Sequence, residues 1–210
     1  MIWIRITKSG GESMNNFLNS NVLKQNIFVV TPCVHNPQYL SFKQELTKDN
    51  KVFSIIRNPY DKALSAYKWL VKNPNGNKRC KDVFDPNISF ADFIAQTQEL
   101  RSSFDTIKNV CVTLDHDQFG TKHYQEYWVV SHLESSFDSI NFFIDPSKVD
   151  LVPLEKAQEF SQTLIMGEKD FPHKNISKSD KKLTKSESNL VETIYEKDFD
   201  LYERAKQWKS

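Results

Sequence analysis

The sequence predicts an α/β protein of three layers, in which a central, mostly parallel β-sheet carries helices on both faces. Three short apolar runs, at residues 2–6, 26–31 and 51–56, are typical of strands, and the last two suit strands buried on both sides. A segment that suits a helix follows each run, so strand and helix alternate along the first third of the chain. This alternation is the pattern of a doubly wound sheet, which binds its ligands at the carboxyl ends of the strands.

The helices of this first third have weaker but readable signals. They are predicted at residues 12–24, 39–47 and 60–71. The third of them places Leu64, Tyr67 and Val71 on one face, which is typical of a helix that packs on a core.

The remainder of the chain is less regular. Residues 73–87 are polar and rich in helix breakers, which predicts a surface loop, and residues 166–185 are also predicted to be irregular. Further strands are predicted at 110–114 and 127–130, and further helices at 90–97, 133–143, 155–164 and 187–206.

A length of 210 residues fits one α/β domain or two very small ones, and the composition is globular. We expect one domain spanning residues 1–210. With 28 basic and 27 acidic residues the net charge is +1, so nothing in the overall charge attracts nucleic acid or an anionic membrane. Cys33, Cys80 and Cys111 are widely spaced without a CxxC pair, which argues against a disulfide framework or a zinc site. No apolar run suits a membrane anchor or a signal peptide. We therefore expect a cytoplasmic protein in which any anion site is local.

The stretch Thr7-Lys-Ser-Gly-Gly-Glu-Ser-Met14, directly after the first strand, is a candidate phosphate-binding loop. Adjacent glycines let the backbone turn tightly and approach a ligand, and successive free N–H groups at the start of a helix bind anions. The alternative, on these residues alone, is an ordinary turn between a strand and a helix.

A second stretch, Ile55-Ile-Arg-Asn-Pro-Tyr-Asp-Lys-Ala-Leu-Ser-Ala-Tyr67, follows the third predicted strand. Arg57 leaves the strand, Pro59 suits the first positions of a helix, and Ser65 lies two turns further on. A guanidinium and a hydroxyl so placed could bind one phosphate from two sides. The alternative is an arginine paired at the sheet edge and a serine with only a helical role.

Together the two stretches resemble the sulfotransferases that use 3′-phosphoadenosine 5′-phosphosulfate (PAPS), in particular their carbohydrate-type branch. That family often has PKTGGTSL in the first loop and a sequence close to FVRNPYDRLVSAY in the second, where this chain has TKSGGESM and SIIRNPYDKALSAY. Weaker similarities follow at Ser89–Ile94, Leu133–Asp138 and Phe171–Asn175. The resemblance implies a sulfotransferase fold related to that of P-loop NTPases, with PAPS as donor substrate and 3′-phosphoadenosine 5′-phosphate (PAP) as product.

The resemblance also implies residue roles. Lys8 would neutralise the oxygen on which charge develops as the sulfuryl group leaves, and Arg57 with Ser65 would hold the 3′-phosphate of the donor. The 5′-phosphate would lie on the loop residues Ser9, Gly10, Gly11, Glu12 and Ser13. No metal is required, and the acceptor would be a small molecule or a glycan that offers a hydroxyl or an amine.

His35 is the candidate catalytic base. It follows the second predicted strand, where many members of the branch carry a histidine, and an imidazole titrates near the operating pH. His116 and His173 are weaker candidates. Acceptor contacts are expected from loops outside the donor motifs, including residues 68–90.

Glu12 departs from the family pattern, which usually has threonine there. A carboxylate about 5 Å from a phosphate charge is repelled by on the order of 3 kcal/mol at an effective dielectric near 20. The sequence indicates how this repulsion could be avoided. Ser9-Gly-Gly-Glu12 matches a capping box, in which the glutamate folds back onto the first turn of the helix. Thr7, in place of the usual proline, removes no ligand.

Two alternative functions stay open from the sequence. A P-loop kinase or NTPase would need GxxxxGK[ST], whereas here the lysine precedes the glycines. A non-catalytic protein that binds the nucleotide but is disabled by Glu12 would keep both motifs. The acceptor's identity and the oligomeric state cannot be read from the sequence.

Overall fold

The computed structural model describes residues 1–20, 27–30, 50–104, 122–164 and 182–209. These residues form two compact units, each built from separate stretches of the chain. The first unit draws on Met1–Asn58, Ser135–Lys178 and Lys197–Ser210, and the second on Pro59–Glu134 and Ser179–Glu196. That the whole chain folds as one domain stays a prediction.

Four parallel strands form the described sheet, which belongs to the first unit. They are β1 (Ile2–Ile4), β2 (Phe28–Val30), β3 (Val52–Ile56) and β4 (Asp150–Pro153), in the order β2-β1-β3-β4. In the central pairing, Ile4 of β1 lies opposite Val30 on one side and Ser54 on the other. Three of these strands confirm predictions. The fourth was not predicted, because its two central apolar residues give almost no alternation and it ends in a proline, as edge strands can.

The helices connect and cover these strands. In chain order the described ones are α1 (Gly11–Ser20), α2 (Pro59–Tyr67), α3 (Pro74–Arg79), α4 (Phe90–Phe104), α5 (Lys122–Leu133), α6 (Ser136–Asn141), α7 (Ala157–Leu164), α8 (Lys185–Ile194) and α9 (Glu196–Lys206). A π-helical turn (Lys68–Lys72) extends α2, and 3₁₀ turns flank β4 at Pro146–Lys148 and Leu154–Lys156.

Both faces of the sheet are covered by helices, which confirms the predicted α/β class with its three layers. Successive strand residues point to opposite faces, so Ile2 and Ile4 belong to one core cluster and Trp3 to another. The first cluster includes residues of α6 and α9, such as Ile140 and Leu201. The second cluster includes residues of α1 and α7: Met14, Phe17, Leu18, Ala157 and Phe160.

An aromatic cluster lies inside the second unit. Phe93 of α4 packs against Phe84 with ring centroids 4.9 Å apart and against Tyr67 of α2 at 5.2 Å. Phe90 completes the cluster in edge-to-face contact with Tyr67, which also donates a hydrogen bond to the carbonyl of Ile88 at 2.9 Å. Offset and edge-to-face packing of this kind is favourable for aromatic rings.

The strand predicted at 127–130 is wrong, since these residues lie in the middle of α5. Their aromatic and β-branched side chains favour a strand when they are considered alone. Among the side chains of the segment whose burial the structure describes, however, the buried ones are Gln125, Val129 and Leu133, spaced by four residues as on one face of a helix. The strand predicted at 110–114 and the helix predicted at 39–47 lie outside the described residues.

The loop predicted at 73–87 is also partly wrong, because it contains α3. The residues that favoured a loop, Asn73 and Pro74, are those with which this helix begins. The Asn73 carboxamide oxygen accepts hydrogen bonds from the backbone N–H groups of Asn75 (2.9 Å) and Gly76 (3.3 Å), and Pro74 occupies the first helical position.

The helix predicted at 187–206 is two helices. The first, α8, starts with a capping box between Thr184 and Glu187, and the second, α9, starts at Glu196. Between them Tyr195 leaves the helical conformation at φ −115° and ψ 27°, and its buried hydroxyl donates to the Leu133 carbonyl at 2.8 Å. A tertiary contact therefore accompanies the break. The helix predicted at 155–164 is confirmed, that at 133–143 is shorter than predicted, and that at 90–97 is longer. The helix predicted at 12–24 is confirmed as far as Ser20, and its last four residues lie outside the described residues.

No helix in the described parts of the chain has the length and apolar character needed to cross a membrane.

Candidate functional site

The strand order creates a candidate ligand-binding crevice at the carboxyl ends of β1 and β3. β2 lies on one side of β1, whereas β3 and β4 lie on the other, so the order of strands reverses between β1 and β3. Ligands of open parallel sheets bind outside the strand ends at such a reversal. Residues 5–10 follow β1 and Arg57 follows β3, so parts of both predicted motifs lie there.

The loop after β1 has an unusual backbone. Lys8 has φ 60° and Gly10 has φ 77°, both in the left-handed region. The Gly10 carbonyl accepts the first hydrogen bond of α1, from the Met14 N–H at 3.1 Å, so Gly10 occupies the N-cap position. A Cβ on Gly10 would lie 2.5 Å from Leu154 Cδ1. The backbone angle therefore favours glycine here, whereas the close contact is with the end of a flexible leucine side chain that can shift.

Gly11, the first residue of α1, makes room for a basic side chain that sequence reasoning missed. A Cβ on Gly11 would lie 2.7 Å from Arg5 Nε and 3.2 Å from Arg5 Cγ. Arg5 directly follows β1, and its backbone N–H donates to the Val30 carbonyl at 2.7 Å. The sequence interpretation placed Arg5 inside a strand; the available signal was a charged residue within an otherwise apolar run.

Lys8 and Arg57, each predicted from a different motif, are joined in the structure. Arg57 Nη1 donates a hydrogen bond to the backbone carbonyl of Lys8 at 3.3 Å. The pKa of the Lys8 amine is lowered from 10.5 to about 8, first by burial and then by the positive charge of Arg57, while the charge of Glu12 acts in the opposite direction. Two cationic side chains are thus held close together at the crevice.

The loop also contains a buried hydroxyl group that the described residues do not satisfy. Ser9 is 1% exposed, and its Oγ has no hydrogen-bond partner among the described residues. A buried polar group without a partner costs about 1–3 kcal/mol. Ser13, in the first turn of α1, is 4% exposed.

The predicted capping box at the start of α1 is wrong. The helix begins at Gly11 with Gly10 as its N-cap, and the Ser9 hydroxyl that would have to cap it has no partner. Glu12 instead lies exposed in the first turn, where a negative charge suits the positive end of the helix. Because its charge raises the pKa of Lys8, Glu12 lies within electrostatic reach of the loop.

A family model described as the sulfotransferase family matches residues 1–203. The chain belongs to the sulfotransferase family. The match spans nearly the whole chain, includes both motif stretches, and confirms the resemblance identified in the sequence. Comparisons with curated proteins and with solved structures gave no match. Family membership supports a sulfotransferase activity in general and argues against the kinase or NTPase alternative.

The other predicted site residues of this sulfotransferase are described only in part. Ser65 lies on α2, in the second unit, and is 7% exposed, so its role beside Arg57 stays a prediction. His35 lies outside the described residues, as do His116 and His173. Within the described ranges, no three His, Cys, Asp or Glu side chains are grouped so that they could hold a metal ion.

Part of the predicted acceptor region of this sulfotransferase has a structural role. Phe84 is 2% exposed and packs on Phe93 in the core of the second unit, so it is not available for an acceptor. Lys72 donates a hydrogen bond to the Pro86 carbonyl at 2.9 Å and lies over the Tyr67 ring.

Proposed function

We propose that this sulfotransferase moves a sulfuryl group from PAPS to a hydroxyl or amine of an acceptor, with carbohydrates as the first acceptor class to test. The observation that carries the proposal is the junction of Lys8 and Arg57 at the reversal of strand order, in a chain of this family. The unsatisfied Ser9 hydroxyl supports it, because an anion in the loop would supply the missing acceptor.

In this proposal the protein positions the reactants and neutralises charge. A bond forms between the acceptor oxygen or nitrogen and the sulfur, while the bond from sulfur to the oxygen of the 5′-phosphate breaks and leaves its electron pair on that oxygen. Lys8 would stabilise this developing charge, which is the largest electrostatic change in the reaction. Ser9, Gly10, Gly11 and Ser13 would hold the 5′-phosphate through backbone N–H and hydroxyl groups at the start of α1.

The second phosphate and the acceptor proton need further groups. Arg57 with Ser65 would bind the 3′-phosphate that distinguishes this donor from AMP, since a guanidinium offers several donors in one plane. His35 would accept the proton of the acceptor as it attacks. The mechanism needs no metal ion. A cytoplasmic location, and the absence of nucleic-acid and membrane partners, stay predictions.

A second candidate function is nucleotide binding without transfer. The observation that favours it is Glu12, which lies exposed in the first turn of α1 instead of in a capping box. A carboxylate there opposes a phosphate in the same turn. A protein of this kind would bind PAP and turn nothing over.

Calorimetry can test the donor site directly. We expect the protein to bind PAP in the presence of a metal chelator and to prefer PAP over AMP, and Arg57→Ala to remove this preference. The matched control is Arg204→Ala, since Arg204 lies in the same unit and also donates to backbone carbonyls, those of Pro146 and Val149. Equal affinity of the unmutated protein for PAP and AMP would overturn the donor assignment.

The two candidate functions differ in turnover. Transfer of radiolabelled sulfate from PAPS to any member of a panel of sugars, phenols, alcohols and peptides would establish the enzyme. His35→Ala should then abolish transfer and leave PAP binding unchanged, whereas an unchanged rate would assign the base elsewhere. PAP binding without transfer to any acceptor would favour the second candidate.

A further inference from the structure

The hydrogen bond between Arg57 and Lys8 links the two motifs of the site through a backbone carbonyl. Arg57 directly follows β3, and Lys8 lies four residues beyond β1, the neighbouring parallel strand. The carbonyl that accepts from Arg57 Nη1 belongs to a residue with φ 60°. A non-glycine residue adopts this conformation at a cost and holds it only when its surroundings fix it. The guanidinium is one such constraint.

The charges that face Lys8 come from more than one element. Arg57, after β3, is positive and opposes a proton on Lys8, whereas Glu12, on α1, is negative and favours it. Arg5, after β1, adds a third positive side chain beside Gly11 in the first turn of α1. Lys8 itself is half-buried, so solvent screens these charges only in part.

We propose that Arg57 is a positioning residue for Lys8: its guanidinium fixes the Lys8 peptide and holds a second positive charge close to that residue, so that an anion bound by Arg57 also acts on Lys8. The inference deepens the proposed function, and its meaning for transfer depends on that function. In the absence of an anion near pH 8, a large share of the molecules carries a neutral Lys8. An anion bound beside Arg57 and Lys8 offsets the repulsion, so Lys8 takes up one proton from solvent and becomes the cation that the reaction needs.

This arrangement makes the state of Lys8 depend on what Arg57 contacts. A ligand that carries a phosphate at Arg57 neutralises the guanidinium and favours protonated Lys8. A ligand without that phosphate leaves Arg57 opposing the proton. Recognition of the phosphate at Arg57 and activation of Lys8 are thereby coupled through one side chain.

The first test measures the protonation of Lys8 without any ligand, and it is therefore independent of the proposed activity. The full chain is labelled with ¹³C at the lysine ε-carbon, the Lys8 signal is assigned with Lys8→Arg, and its shift is followed by NMR from pH 6 to 11. We expect a pKa of about 8 for Lys8 in the unmutated protein. In Arg57→Gln it should rise above that value but stay below 10.5, since burial, the larger cause, is unchanged.

Two further variants serve as controls, one at Arg57 and one at another arginine. Arg57→Lys keeps the charge, so the pKa of Lys8 should stay close to that of the unmutated protein. Arg204→Gln removes a cation from the same unit that also donates to backbone carbonyls, so Lys8 should not respond. An unchanged Lys8 titration in folded Arg57→Gln would overturn the proposal. If Arg57→Gln does not fold, a Lys8 that titrates near 10.5 in the unmutated protein would overturn it equally.

The second test measures proton uptake, with inorganic pyrophosphate as the probe. Calorimetry at pH 8 in buffers of different ionisation enthalpy gives the number of protons taken up on binding. Pyrophosphate itself titrates in this pH range, so the uptake of the unmutated protein is compared with that of Lys8→Arg, which cancels the contribution of the ligand. We expect the unmutated protein to take up about half a proton more than Lys8→Arg, because a group at its pKa is half protonated. Equal uptake by the two proteins would contradict the coupling. If Lys8 titrates as expected but no sulfuryl group is transferred from PAPS, the proposed function is overturned and the role of Arg57 is not.

Discussion

Replacement of Lys8 by methionine should stabilise the folded protein while it destroys the anion site. The unfolded chain holds the Lys8 proton up to a pH of about 10.5, whereas the folded chain holds it only up to about 8. This difference in pKa corresponds to about 3 kcal/mol, by which the charged amine destabilises the fold below pH 8. Lys8→Met removes the charge and keeps a chain of similar length, so at pH 7 the free energy of unfolding should rise by up to about 3 kcal/mol.

The pH dependence of this gain follows from the same shift. Between pH 8 and pH 10.5 the unfolded state binds more protons than the folded state, so the unmutated protein gains stability as the pH rises. The advantage of Lys8→Met should therefore be largest at pH 7 and should fall to below about 1 kcal/mol by pH 10. Differences between variants at one pH cancel the other titrating groups, such as Cys80, whose pKa is raised to about 11 by burial.

Urea unfolding at pH 7, 8.5 and 10 would measure this effect, with Lys51→Met as the control because Lys51 is an exposed lysine of the same unit. Lys51→Met should change the stability little at any of these values. A Lys8→Met variant that gains nothing at pH 7, or gains the same amount at all three values, would refute the argument from burial and from Arg57. If Lys8→Met is more stable but no longer binds pyrophosphate, the charged Lys8 lowers the stability of the fold and is needed for anion binding.

Three further predictions concern other parts of the structure. Gly10→Ala should lower the free energy of unfolding by about 1–2 kcal/mol or more, since φ 77° disfavours any side chain, and a loss below 0.5 kcal/mol in urea unfolding would contradict the assigned backbone. Glu12→Gln should tighten pyrophosphate binding by up to about tenfold at low salt and by less at high salt, because it removes an exposed negative charge that repels the anion. Calorimetry measures this effect, and unchanged or weaker binding would mean that Glu12 does not repel the anion. Asp198→Ala should lower the free energy of unfolding by about 2–4 kcal/mol in the urea assay, because this buried carboxylate accepts hydrogen bonds from the first two N–H groups of α6 at 2.7 and 3.0 Å. The control is Asp200→Ala, at an exposed position of α9. Equal losses for the two variants would argue against a buried cap.

The strands of the sheet show how far local patterns reach. β1, β2 and β3 could be predicted because each belongs to a short, mostly apolar run that ends at a polar residue. β4 could not, since its two central apolar residues carry no pattern of their own and it is a strand only because β3 offers hydrogen-bonding partners. A short window also explains the wrong prediction at residues 127–130. These β-branched and aromatic residues favour a strand by themselves, and the buried face of the helix is recognised only when Gln125 and Leu133 are considered with them.

The site shows a similar division. Lys8, Ser9, the glycine pair and Arg57 could be predicted as candidate site residues from two motifs and a resemblance, because the residue types that bind phosphate are few. Arg5 could not, since its closeness to Gly11 results from the turn that brings α1 back over the end of β1. The predicted capping box between Ser9 and Glu12 was wrong because Gly10, and not Ser9, takes the N-cap.

The sequence by itself determined the class of fold and the family, and it predicted the residues of the candidate anion loop, since these depend on short patterns along the chain. Only the tertiary structure decided that Arg57 donates to the carbonyl of Lys8 and that burial and Arg57 lower the pKa of the Lys8 amine to about 8. These two residues are 49 positions apart in the chain. Their contact depends on the parallel pairing of β1 with β3, and burial and charge act through space, which a local pattern does not encode.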